Sequence, residues 1–229
     1  MRVAALFTGG KDSTYSSFLA SKENKLVCLM NMYSENRDSY MFHTVADSLL
    51  QLQADSMSLP LERHKTAGVK EEELSDLREF ILEMKEKYAI DGIVSGALAS
   101  EYQYNRINTI LKELSLKSIT PLWHVDVEEY LNNFIRDGFR AVIVSVSADG
   151  LDESWLGKEI NGETLPKLVE LSRKYRFNLG FEGGEAETAV VDGPIFKYGI
   201  KIGKSDVVSD DGKYYLEIKS AEKIEKKSS

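Results

Sequence analysis

Six consecutive residues near the start of the chain, Thr8-Gly9-Gly10-Lys11-Asp12-Ser13, have the chemistry of a phosphate site. They stand between a short apolar run, residues 3–7, and a segment with helical character over about 13–21. Two adjacent glycines let the backbone turn sharply and approach a ligand, because no Cβ stands in the way. A helix start presents N–H groups and a partial positive charge, both of which favour an anion. Thr8 and Ser13 add hydroxyls and Lys11 a full charge, so phosphate or pyrophosphate is the expected ligand. The plainer alternative is a tight strand-to-helix turn with Asp12 or Ser13 capping the helix. The co-occurrence of strand, hydroxyl, glycine pair, lysine, aspartate and serine favours the phosphate. The loop is neither Gly-x-x-x-x-Gly-Lys-Ser/Thr nor Gly-x-Gly-x-x-Gly, so it is not a Walker loop or a dinucleotide fingerprint.

A second group, Glu182-Gly183-Gly184-Glu185-Ala186-Glu187-Thr188, sets three carboxylates around another glycine pair. A backbone bent at the glycines would let these side chains converge. Converging carboxylates hold magnesium, bind an ammonium ion or accept a proton from an amine. An acidic surface turn before a strand at 189–191 explains the same residues equally well. The remaining reactive types carry less. Cys28 lies in an apolar run and reads as a buried, inert thiol. His43, His64 and His124 show no ligand spacing, and a single cysteine excludes both an internal disulfide and a cysteine-rich zinc site.

The elements that must position these residues alternate. Residues 3–7, 26–32, 59–64, 90–95 and 119–122 read as strands. Between them, helices are expected over 13–21, over about 39–54 (Phe42, Val45, Leu49, Leu52), along Leu74, Leu77, Ile81, Met84 and Tyr88, and along Ile107, Ile110, Leu111 and Leu114. Such β-α alternation predicts a parallel sheet covered by helices, with a ligand outside the carboxyl ends of the strands. After Trp123 the rhythm changes. Asp126 and Glu129 form a capping box for a helix that Gly138 stops, followed by a strand at 139–147 and a helix at 164–175 with Pro166 in its first turn. Short strands follow at 189–191, 197–202, 207–208 and 214–218, with Asp211-Gly212 as a hairpin signal between the last two. Residues 219–229 are expected to be a frayed, solvated end. The domain expectation is 1–130 for the part that carries the phosphate-type loop and 131–229 for a smaller α+β part.

At 229 residues, with 42 % hydrophobic and 29 % charged, the chain is an ordinary globular sequence, and at this length about 70–75 % of the unfolded surface is expected to be buried. Twenty-nine basic residues against 37 acidic ones give a net charge of −8, which argues against a bulk electrostatic grip on nucleic acid. No run approaches the roughly 20 apolar residues that span a bilayer. The expectation is a cytoplasmic protein without direct nucleic-acid or membrane partners; a homo-oligomer is compatible with the sequence.

The hexapeptide resembles the Ser-Gly-Gly-x-Asp-Ser signature of the PP-loop ATP pyrophosphatases, with Thr8 keeping the first hydroxyl. The segment Glu182–Thr188 followed by Asp192-Gly193-Pro194-Ile195-Phe196 resembles the C-terminal hallmark of the diphthine–ammonia ligase family, the N-type branch of that superfamily. Gly96-Ala97-Leu98-Ala99-Ser100-Glu101-Tyr102-Gln103-Tyr104-Asn105-Arg106, with Pro121-Leu122-Trp123, and Gly150-Leu151-Asp152 through Leu156-Gly157 are similar to two further family segments. Two positions depart from the pattern: Asn178 replaces a usual histidine and Phe181 a usual glycine. The resemblance implies a Rossmann-like, adenine-nucleotide α-hydrolase α/β fold with a parallel sheet and a second, smaller α+β domain. It also implies ATP as substrate with magnesium, and amidation of diphthine on translation elongation factor 2. The carboxylate would attack the α-phosphate, ammonia would open the acyl-adenylate, and AMP and pyrophosphate would leave. By the same resemblance Thr8, Gly9, Gly10, Lys11, Asp12, Ser13, Ser95 and Gly96 would hold the nucleotide, and Tyr102, Gln103, Arg106 and Thr188 would contact substrate. Lys11, Glu182, Glu185 and Glu187 would serve catalysis; metal ligands are not assigned. A PP-loop ligase acting on a small molecule and a non-catalytic nucleotide sensor are the rival readings, the latter disfavoured by the second region.

Overall fold

A computed structural model of the chain describes residues 1–34, 47–66, 72–210 and 212–226. The chain divides into two compact units. The first comprises Met1–Thr8, Asp12–Thr44 and Leu59–Trp123; the second comprises Gly9–Lys11, Val45–Ser58 and His124–Ser229. The hexapeptide straddles this division, with Gly9–Lys11 counted in the second unit.

The first unit is the expected α/β layer. Strands β1 (Arg2–Leu6), β2 (Lys25–Ser34), β3 (Leu61–Thr66), β4 (Gly92–Val94) and β5 (Lys117–Ile119) form one sheet in the order β3-β2-β1-β4-β5, with every pairing parallel. Helix α1 (Lys11–Ser21) follows β1, α3 (Glu72–Tyr88) follows β3 and α4 (Glu101–Glu113) follows β4. The apolar stripe read from the sequence does its work on α3: Leu77, Ile81 and Met84 are fully buried, in a core that also holds Phe80, Ile107 and Leu111 and the strand residues Ala4, Cys28, Met30 and Ile93. Strand order reverses at β1, which lies between β2 and β4. In an open parallel sheet that reversal opens a crevice at the carboxyl ends of the two strands. Here those ends are Thr8–Ser13 and Ser95–Gly96.

The second unit is built on an antiparallel sheet. Strands β6 (Arg140–Val146), β7 (Ala186–Asp192), β9 (Ser205–Asp210) and β10 (Lys213–Ile218) take the order β7-β6-β10-β9, while β8 (Gly199–Ile202) pairs with β11 (Ala221–Ile224). Helices α2 (Asp47–Met57), α5 (Val127–Arg136) and α6 (Leu165–Tyr175) belong to it. The capping box is present, with Asp126 Oδ1 accepting from Glu129 N at 2.8 Å, and Pro166 lies in the first turn of α6. Gly138 takes φ +83°, a left-handed value that suits the residue ending α5.

Several expectations are corrected. The tail is not frayed over 221–224: β11 pairs with β8 along four residues, and Lys223 Nζ meets Asp55 Oδ2 of α2 at 2.9 Å. Helix α1 begins inside the hexapeptide, at Lys11. Helix α4 begins at Glu101, so Tyr102 and Arg106 stand on a helix, and β7 begins at Ala186, so Glu187 and Thr188 are strand residues. Of the helix expected over 39–54, residues 39–46, His43 among them, lie outside the described residues, as does Asp211. Among the described residues no helix is long and apolar enough to cross a membrane.

Candidate functional site

In the first unit the site starts where β1 ends. Asn31, buried on β2, donates its side-chain amide to Phe7 O at 2.9 Å and so holds the last turn of chain before the hexapeptide. Thr8 N donates to Ser13 Oγ at 3.2 Å, and the Thr8 and Ser13 hydroxyls lie 3.1 Å apart. The two hydroxyls thus share one spot at the mouth of α1, with Ser13 buried and Thr8 exposed. Ser95, 7 % exposed, donates its backbone N–H to Ile119 O at 3.0 Å. Gly96 lies directly on the first turn of α1: a Cβ there would fall 2.8 Å from Asp12 C and 2.8 Å from Ser13 N. The absence of a side chain at Gly96 is what lets the end of β4 close on the helix start. On α4 the Arg106 guanidinium stacks 4.2 Å from the Tyr102 ring, and Tyr104 stacks on Trp123 at 4.0 Å. The Gln103 side chain lies outside the described residues. A cavity of about 420 Å³ opens elsewhere on this unit, lined by residues such as Tyr104, Asn108, Lys112 and Ser118; none of the predicted site residues lines it.

In the second unit, Gly9–Lys11 runs beside β7. Val190 N donates to Gly9 O at 2.9 Å, and Lys11 N donates to Thr188 Oγ1 at 3.1 Å. The Lys11 side chain is 2 % exposed; its ammonium donates to Gly180 O at 2.7 Å and lies 5.2 Å from the Phe181 ring centroid. Phe181 has φ +65°, the left-handed conformation that glycine takes without cost. This explains why glycine is usual at that position in the family it resembles. Here the larger residue adopts the same backbone and covers the Lys11 ammonium.

The carboxylates do not converge as a set. Glu185 turns back into its own loop, accepting from Gly183 N at 2.8 Å and Asn178 N at 3.1 Å, while its backbone oxygen accepts from Ser147 N and Ala148 N. Asn178 Oδ1 accepts from Gly180 N at 2.7 Å, so the residue standing for the usual histidine shapes the turn whose carbonyl meets Lys11. Glu187 is paired with Lys213 at 3.1 Å, and Glu182 is half-buried. The bend at Gly183–Gly184, with Gly184 at φ +82°, lets the Glu185 carboxylate close back on Gly183 N and Asn178 N. Among the described residues no group of three His, Cys, Asp or Glu is placed to hold a metal ion.

One positioning residue was not singled out from the sequence. Gln53, fully buried on α2, donates its amide to Gly9 O at 2.9 Å and to Val190 O at 2.8 Å. Its neighbours Leu49, Leu50, Ala54 and Met57 are all buried, so a polar residue on the apolar stripe of α2 was the available signal.

Comparison with known proteins agrees with both halves. Residues 1–118 match the family model described as the diphthamide synthase N-terminal domain, and residues 126–224 match the diphthamide synthase C-terminal domain. Similar proteins include the diphthine–ammonia ligases of Rattus norvegicus (38 % identical, covering 91 % of this chain and 85 % of that one) and Homo sapiens (37 %, with the same coverage). That of Danio rerio is 34 % identical over 92 % of this chain and 91 % of its own. A solved structure described as a predicted subunit of tRNA methyltransferase from Methanocaldococcus jannaschii aligns at a TM-score of 0.44 and 16 % identity, covering 85 % of this chain and 98 % of that one.

Proposed function

The chain belongs to the diphthine–ammonia ligase family, and from that premise we propose that it is an ATP-dependent ligase that amidates diphthine to diphthamide on translation elongation factor 2. The observation that carries this reading is the attachment of Gly9–Lys11 to β7. The phosphate-type loop and the strand bearing Glu187 and Thr188, about 180 positions apart in sequence, are hydrogen-bonded in one unit.

In this reading the diphthine carboxylate oxygen attacks the α-phosphorus of ATP, the bond to the β-phosphate oxygen breaks, and pyrophosphate leaves. Ammonia then attacks the acyl carbon and AMP leaves. A carboxylate is a poor acyl donor, and adenylation supplies the leaving group. The loop amides of residues 9, 10, 12 and 13 and the Thr8 and Ser13 hydroxyls bind the distal phosphates, and the Lys11 ammonium exchanges Gly180 O for a phosphate oxygen as negative charge grows on the departing pyrophosphate. Ser95 and Gly96 pack against the nucleotide, and Tyr102, Gln103 and Arg106 contact the protein substrate. Thr188 holds Lys11 N in place. Glu185 holds the 178–185 turn, and a carboxylate among Glu182, Glu185 and Glu187 takes the proton that ammonia loses. The described residues do not fit a protein-only magnesium cage, so magnesium would arrive on the nucleotide phosphates, as that ion commonly does. The reaction is placed in the cytoplasm, with its protein substrate.

The test is incubation with ATP, ammonium and diphthine-bearing elongation factor 2, followed by identification of the nucleotide product. AMP and pyrophosphate, formed only when the protein substrate is present, are expected. Release of ADP and phosphate defeats adenylation, and equal turnover without the factor transfers the activity to a small-molecule substrate.

A further inference from the structure

The Gly9–Gly10 peptide is the least constrained link in the phosphate-type loop, because glycine on both sides lets the plane turn over at little steric cost. In the structure hydrogen bonds to Gly9 O hold that plane. Gly9 O accepts two hydrogen bonds, from Val190 N and from Gln53 Nε2, each at 2.9 Å. The second amide hydrogen of Gln53 goes to Val190 O at 2.8 Å. Two carbonyl acceptors dictate which end of the Gln53 amide faces them, and they leave its Oε1 buried with no partner. That oxygen lies against the face of Gly9 where a Cβ would stand, 2.2 Å from the position such an atom would take, and Gly9 has φ +76°. A trans peptide sets the N–H of the following residue opposite its carbonyl, and the chain has no cis peptide. Tying Gly9 O to β7 therefore points Gly10 N–H to the opposite side of the loop.

We propose that Gln53 is a positioning residue for phosphate binding: by clamping the Gly9 carbonyl to β7 it holds Gly10 N–H in the orientation that receives a phosphate oxygen. The inference rests on the nucleotide role proposed above for the loop, and it assigns to α2, outside the motif, the task of keeping that loop in its binding form. A buried amide whose acceptor end is left unsatisfied costs stability. Its burial beside Leu49, Leu50, Ala54 and Met57 is explained if both of its donors are needed at the loop.

Inorganic pyrophosphate is the probe, with ATP kinetics beside it. Gln53→Met keeps the volume and removes both donors; the folded variant is expected to bind pyrophosphate about tenfold more weakly and to show a matching rise in KM for ATP, with a smaller change in kcat. Gln53→Glu replaces a donor by a carboxylate facing two carbonyl oxygens, and only its protonated form donates. Its pyrophosphate affinity, relative to wild type, is expected to recover between pH 8 and pH 6, a dependence that a packing role does not produce. Wild-type affinity in folded Gln53→Met, or in Gln53→Glu at pH 8, overturns the inference and leaves the proposed function standing. Failure of the wild-type protein to bind either pyrophosphate or ATP overturns both. If neither variant folds, the wild-type protein decides: pyrophosphate must shift the Gly10 amide resonance, and an unmoved Gly10 refutes the assignment.

Discussion

Gly96→Ala tests whether the end of β4 truly supports the start of α1. Gly96 does not need a left-handed backbone, so alanine is conformationally acceptable there, and the effect comes from contact alone. Two terms oppose each other. Removing a glycine lowers the entropy of the unfolded chain and stabilises by about 0.4–1 kcal/mol. Against that, the added Cβ falls 2.8 Å from both Asp12 C and Ser13 N and 3.1 Å from Asp12 O. These are backbone atoms of a helix start and cannot rotate away, and overpacking of this kind costs about 1–3 kcal/mol. The net expectation is destabilisation by about 0.5–2 kcal/mol, which for a chain of this size lowers Tm by roughly 1–8 °C. The helix start is also where phosphate is proposed to bind. A displacement of up to about 1 Å there is expected to reduce kcat/KM for ATP by roughly 10- to 100-fold. Thermal unfolding and ATP-dependent AMP release measure the two effects. Gly162→Ala is the control, since nothing lies within 4 Å of its Cβ position and its backbone is ordinary; it should gain about 0.4–1 kcal/mol with unchanged activity. If Gly96→Ala melts at or above the wild-type temperature with unchanged kcat/KM, the close approach of β4 to α1 does not support the site.

Three further outcomes follow from the geometry. Glu185→Gln keeps one acceptor oxygen but turns an NH2 toward Gly183 N or Asn178 N, so ATP binding should stay nearly intact while amide formation falls by about 100-fold; unchanged turnover removes the 182–188 turn from the active site. Burial, reinforced by Glu62, pushes the Cys28 thiol up to about 12, so a thiol reagent at pH 8 should label the protein only as fast as it unfolds, and prompt labelling of the native chain contradicts the packing of β2. The hydrogen bond from Lys223 holds Asp55 below its ordinary 3.8, so its stabilising contribution is complete above that value and is lost as pH falls through the lowered one. Urea midpoints of Asp55→Asn and wild type should therefore differ slightly near pH 6, as suits so exposed a pair, and converge in strong acid; a difference that persists there contradicts the assignment.

Much of the first unit was legible without coordinates. Leu77, Ile81 and Met84 recur at helical spacing and are buried on α3, and the apolar runs at 3–7 and 26–32 are the strands β1 and β2. Element ends were less legible. The α4 stripe was read only from Ile107, because the turn carrying Tyr102 and Arg106 is polar and shows no apolar period. The 221–224 strand was read as solvated because its lysines and glutamates look like a free tail; it is held by pairing with β8, which composition does not register. For the three glutamates the sequence left convergence and an acidic surface turn equally open, because a glycine pair permits either; in the fold the Glu185 carboxylate accepts from its own loop and Glu187 pairs with Lys213.

Chemistry contained in contiguous residues needed no fold to be seen: a hydroxyl, two glycines and a lysine at a strand–helix junction have the chemistry of the proposed anion site, since the relevant groups are neighbours along the backbone. What only folding decided is which distant groups complete that junction. Gln53 reaches Gly9, Thr188 takes Lys11 N and Gly180 takes its ammonium, through hydrogen bonds that span 44, 177 and 169 residues. Such bonds depend on the packing of α2 and β7, and no local pattern encodes the distance between two groups so far apart along the chain.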